Sequence, residues 1–325
     1  MIGEKLDRYH LLVEVGSGSM GTVYRAEDQS TGHTVAVKLV TSKILYDPSR
    51  RERFLQGVFL ASQIRHPNIC PILEIGDDED DLFIVMPFLQ GETLAQLMKR
   101  RSLPWQETLR LGISIAQGLA AVHDAGAVHR SLKPSNIWIR RDGSVLLTDC
   151  CVARFTELDG AGDPATARRP EFADTIIPMS ALSYMSPEQV RGESVDHRSD
   201  LFALGAILYE MLSERHPFEA RNSLSRISAI LESNPARLTS RKQILPGALD
   251  AALRKAMDRR PESRYRDAQE MGSALQNILA GGAAEGSASS VFPARKARGG
   301  FWRILGYCSI LVIVVISVLY LFLSK

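Results

Sequence analysis

The chain has 325 residues, 45% hydrophobic and 23% charged, with 39 Lys and Arg against 37 Asp and Glu for a net charge of +2. The length suits one two-lobed domain or two small ones, and the balance is that of a globular protein rather than a disordered one. Acids and bases matched along the chain argue against a nucleic-acid partner, and four cysteines, Cys70, Cys150, Cys151 and Cys308, lack the spacing of a metal site or a disulfide framework.

In chain order, MIGEKLDRYH has no basic-then-apolar signal pattern, so the first folded part is expected to stay where it is made. The runs LLVEV from Leu11, TVYRAE from Thr22 and TVAVKLV from Thr34 alternate as strands do, and a helix is expected from Pro48 to Arg65. Longer helical patterns follow at Trp105–Gly126, Leu201–Glu214 and Ala268–Ala280. The reading is an α+β chain, with a small sheet-rich lobe over about residues 1–86 and a larger helical lobe over about 90–280. Residues 281–303, rich in Gly, Ala and Ser, read as a flexible tether. Ile304–Leu323 is a run of 20 residues without a charge, enough as a helix for the roughly 30 Å core of a bilayer. Arg295, Lys296, Arg298 and Arg303 precede it, and the positive-inside rule puts the folded part in the cytoplasm of a single-pass membrane protein.

Several motifs carry chemistry. GSGSMGTV places Gly16, Gly18 and Gly21 between two strand-like runs, where glycines let backbone amides approach phosphate oxygens. A Rossmann site would need a helix next, but a strand pattern follows. VAVK ends at Lys38, at a hairpin's distance from the glycines. VHRSLKPSN spans Val128–Asn136 and TDC spans Thr148–Cys150, followed by YMSPEQ at Tyr184, DLFALG at Asp200, LYEMLSERHPF at Leu208 and PESRY at Pro261. In this order the motifs resemble the Hanks-type serine/threonine protein kinases, above all the bacterial ones, over about residues 9–280.

The resemblance implies a two-lobed protein-kinase-like fold, ATP and Mg²⁺ as cofactors, and protein substrates or signalling partners. It implies that Val15, Gly16, Gly18 and Gly21 cover the phosphates and that Lys38 holds them. Val23 and Ala36 would roof the adenine and Trp138 would floor it. Met86 would be the gatekeeper, with Pro87 and Leu89 in the hinge; Leu89 supplies the N–H that Pro87 lacks. Lys133 would neutralise the transferred phosphoryl group, and Asn136 and Asp149 would hold Mg²⁺. Glu188 with Arg264 resembles a buried ion pair, Asp200 a brace for the catalytic-loop backbone, and Gly205 its close-packing partner.

Four positions depart from the family. Ser131 stands at the catalytic Asp, and a neutral hydroxyl is a poor base; such bases are worth roughly 10²–10⁴ in rate. Gly57 falls where the helical Glu that pairs with Lys38 is expected. Cys151 replaces a glycine, and Ala181 replaces a Thr that contacts the catalytic Asp and Lys. Arg130 is kept, and Thr156, Thr166, Thr175, Ser180 and Ser183 are candidate phosphorylation positions in the segment it would read. A membrane-anchored pseudokinase is therefore expected, with a slow serine/threonine kinase as the alternative and another nucleotidyl transfer behind both. Dimerisation is left open, because Gly306 alone makes no G-x-x-x-G motif.

Overall fold

The computed structural model describes residues 2–18, 20–41, 48–78, 81–150 and 179–288. Residues 1–280 form one compact unit and residues 281–325 a second. The first begins with strands β1 (Lys5–Leu6), β2 (Tyr9–Gly18), β3 (Gly21–Asp28) and β4 (Thr34–Val40), then helix α1 (Pro48–Gln63), then β5 (Glu74–Asp78) and β6 (Asp81–Pro87). The six strands make an antiparallel sheet in the order β1-β2-β3-β4-β6-β5.

Alternation along the strands decides what each face of this sheet does. Tyr24, Val35, Val37, Phe83 and Val85 share a core with Tyr9 and Leu11. The residues between them, Val23, Ala36, Lys38, Ile84 and Met86, therefore point to the opposite face. There Val40, Leu82 and Ile84 pack against Phe54 and Val58, one turn apart on α1 and fully buried. Helix α1 has no acidic residue in its first turn and no basic one in its last, so this packing holds it without help from charges on the helix dipole.

A three-stranded sheet of β7 (Gly91–Thr93), β8 (Ile137–Arg140) and β9 (Val145–Leu147) opens the helical part. Around it lie α2 (Leu94–Arg100), α3 (Trp105–Asp124), α4 (Met179–Leu182), α5 (Pro187–Arg191), α6 (Arg198–Ser213), α7 (Ser223–Glu232), α8 (Ala248–Ala256) and α9 (Ala268–Ala288). Helix α6 is apolar nearly all round and buried nearly all round. Glycine makes that burial feasible: a Cβ on Gly205 would lie 2.8 Å from the Ala256 Cβ, and one on Gly112 of α3 would lie 2.8 Å from Leu208 Cδ2.

Helix α9 continues through residues 281–288, where the composition suggests a flexible tether. Ala283, Ala284 and Glu285 are strong helix formers and offset the glycines. Among the described residues no helix is long and apolar enough to cross a membrane. The charge-free run at 304–323 and the basic segment before it lie outside the described residues.

Candidate active site

The glycines have two different reasons to be glycine. Gly21 has φ 139°, and a Cβ there would lie 1.8 Å from Leu39 O, so the hairpin itself requires it. Among the described residues nothing lies within 4 Å of a Cβ on Gly16 or Gly18, so no packing there explains them. Val15 is half exposed beside them. Strand register then groups the side chains on the face that carries Lys38: Val23 sits opposite Lys38, Lys38 opposite Ile84, and Ala36 opposite Met86.

Lys38, Met86 and Asp149 meet Ala61 of α1 around a cavity of about 20 Å³, which also touches Cys70 and Cys150. Burial pushes the Cys70 thiol up to about 12, so it acts as an apolar filler rather than a nucleophile. Cys150 is buried too, as a small apolar filler would be. Cys151, Thr156, Thr166 and Thr175 lie outside the described residues, as do the side chains of Ser180 and Ala181. Ser183 is buried and its hydroxyl donates to Met179 O at 2.7 Å, so it is no accessible phosphorylation site in this conformation.

The loop carrying Ser131 is held from behind. The N–H groups of His129 and Arg130 each donate to the Asp200 carboxylate at 2.8 Å, and His123 Nε2 lies 2.8 Å from the same group. Arg130 sits at φ 62° and Asp149 at φ 58°, conformations that cost a non-glycine residue about 1 kcal/mol or more and need surrounding support. Gln189 Nε2 donates to Arg130 O at 2.9 Å. The Asn136 amide donates to Ser131 O at 2.9 Å and to its hydroxyl oxygen at 3.3 Å.

Lys38 is buried, and Asp149 Oδ1 lies 2.7 Å from its ammonium. Gly57 is on the buried side of α1, one turn from Ala61, and the only carboxylate on that helix, Glu52, is exposed. Burial works against ionisation of Asp149, but the charges of Lys38, His129 and Lys133 and the Lys38 hydrogen bond hold its carboxyl below the usual range. Burial and the neighbouring Lys38 push the Lys133 ammonium down, against the pull of Asp149.

Two ammonium groups, Lys38 and Lys133, that converge on Asp149, with an open glycine hairpin on the strands next to Lys38, suit a polyphosphate. Trp138, on β8, has an indole N–H buried without a partner, and the Leu89 N–H has no protein acceptor among the described residues. The Leu89 N–H is a donor that a nucleotide base could use. Mg²⁺ would find its oxygen donors at Asp149 and Asn136, the first of which already serves Lys38. His123 and Cys70 carry no motif, and Gln189 closes YMSPEQ without any sign of its partner; only folding brings His123 to Asp200, Gln189 to Arg130 O and Cys70 to the cavity wall.

The family model described as "Protein kinase domain" matches residues 9–274. A probable serine/threonine-protein kinase of Clostridium perfringens is 31% identical over 280 residues, covering 86% of this chain and 39% of its own length. One from Streptomyces coelicolor is 34% identical, covering 84% and 40%. The chain thus spans about two fifths of the length of these relatives. The Mycobacterium tuberculosis PknI kinase domain superposes with a TM-score of 0.65 at 23% identity, over 86% of this chain and 98% of that one, a likeness of fold. The ordered motifs, the two-lobed architecture and the family match agree: this chain belongs to the protein kinase family, in its bacterial Hanks-type serine/threonine branch.

Proposed function

We propose that this protein is a catalytically impaired member of its family, binding ATP in the cleft and acting by presenting surfaces to protein partners. The observation that carries the reading is the state of Lys38 and Ser131. Lys38 has no carboxylate from α1, because Gly57 occupies the facing turn, and it pairs with Asp149 instead. Ser131 offers only a hydroxyl, which already accepts from Asn136. A missing base costs roughly 10²–10⁴ in rate, and a misdirected lysine adds to that.

Gly16, Gly18 and Gly21 would cover the phosphates, Lys38 and Lys133 would neutralise them, and Met86, Leu89 and Trp138 would border the base. The charge-free run at 304–323 and the basic residues before it support a single-pass anchor with this domain on the cytoplasmic side.

A slow serine/threonine kinase is the second reading. Lys38, Lys133, Asn136 and Asp149 are all present, and phosphoryl transfer depends largely on positioning and charge. Mass spectrometry of the full chain, after incubation with ATP, Mg²⁺ and a basic protein, separates the two. The first reading expects neither phosphate nor adenylate on either protein. Phosphate that vanishes with Lys38→Met would establish the second, and adenylate would point to nucleotidyl transfer.

A further inference from the structure

The charges that meet in the cleft are unbalanced in a way that bears on how it would hold a nucleotide. Among the described residues, the ionised groups that act on one another there are Lys38, Lys133 and Asp149, with buried His129 behind them. Position 131 is a serine and the α1 face opposite Lys38 is a glycine, so two cations face one anion. Such a floor attracts a polyphosphate directly. A floor richer in carboxylates than ammonium groups would repel it and would need a divalent cation between the two.

Asp149 also has a partner. Its Oδ1 lies 2.7 Å from Lys38 Nζ, and Lys38, with no other partner among the described residues, has no second carboxylate to turn to. A Mg²⁺ on Asp149 would displace that ammonium or share the carboxylate with it, and Mg²⁺ accepts only near-ideal octahedral geometry. The Asn136 amide hydrogens are directed at Ser131, so its side chain adds only a neutral carbonyl oxygen to the single carboxylate that Lys38 already holds.

We propose that this cleft takes a nucleoside polyphosphate without a divalent cation: Lys38 and Lys133 neutralise the phosphates, and Asp149 serves as counter-ion to Lys38 rather than as a metal ligand. The inference rests on the reading of the cleft as a nucleotide site. Asp149 then competes with the phosphates for Lys38. Removing its charge strengthens metal-free binding, the reverse of what a metal ligand would do.

The test is calorimetric titration of ATP into the full chain in detergent, once with EDTA and once with Mg²⁺, followed by Asp149→Asn and Lys38→Met. Dissociation constants with and without Mg²⁺ should agree within about threefold, a difference under ~1 kcal/mol. Asp149→Asn should tighten EDTA-condition binding by about fivefold or more, and Lys38→Met should weaken it by at least as much. Binding at least about tenfold tighter with Mg²⁺, lost in Asp149→Asn, would overturn the proposal and leave the nucleotide site standing. No binding in either buffer would overturn both. The wild-type comparison needs no variant to fold.

Discussion

Replacing Arg264 with methionine tests what ties α5, which carries Glu188, to the rest of the helical lobe. The guanidinium donates to Glu188 through Nη1 at 2.6 Å and Nη2 at 2.8 Å, and both side chains are almost fully buried, 0% and 5% exposed. Arg264→Met leaves the Glu188 carboxylate buried with little besides the Ser199 hydroxyl, and breaking a buried pair from one side costs about 3–5 kcal/mol. Roughly 2–4 °C is lost per kcal/mol in a chain of this size, so melting should fall by about 6 °C or more, measured by calorimetry near pH 7. Burial raises the Glu188 carboxyl, but Arg264 and Ser199 outweigh it and hold its pKa below the ordinary 4.5. A depressed carboxyl contributes stability above its unfolded pKa and loses that contribution as pH falls, so the gap between wild type and variant should narrow below about pH 4.5. Adding Glu188→Gln to Arg264→Met should recover part of the loss. A single-variant loss under about 1 kcal/mol, the size of an exposed pair, would refute the argument.

Three further outcomes are expected. Gly21→Ala should lower the melting temperature sharply, because its Cβ would collide with Leu39 O at φ 139°, whereas Gly16→Ala should stay within about 0.5 kcal/mol in stability yet weaken ATP binding; equal stability losses would contradict the division between the two glycines. Ser131→Asp should raise phosphoryl transfer by less than about tenfold, since Gly57 still leaves Lys38 on Asp149, and a gain in the full range of roughly 10²–10⁴ would show that the base was the only defect. Burial and then Arg226 hold His216 down to about 4, from 6.5. The folded chain therefore resists protonation that the unfolded chain accepts, and stability should fall between pH 6.5 and 4. His216→Gln should flatten that part of a melting-temperature profile, and an unchanged slope would remove His216 as its source.

The fold was legible in the sequence because its elements are marked locally. Alternation between Thr22 and Val40 marked strands, and glycines at 16, 18 and 21 marked a tight hairpin. The apolar run of α6 marked a buried helix. The site was legible where chemistry and spacing coincide, as at Lys38, Asn136 and Asp149. Scattered Gly and Ser at the start of the linker conceal the helix-forming Ala283, Ala284 and Glu285, through which α9 runs. A motif names residues; it does not say which of them touch. That Lys38 pairs with Asp149, 111 residues away, depends on how α1, β4 and the turn after β9 are packed together. So do the brace of His123 on Asp200 and the burial that silences Cys70. Sequence alone therefore determined the lobes, the family and the absence of an acid at position 131. Tertiary structure decided the charge partners in the cleft, because Coulomb forces act through space and the distances they depend on exist only once the chain has folded.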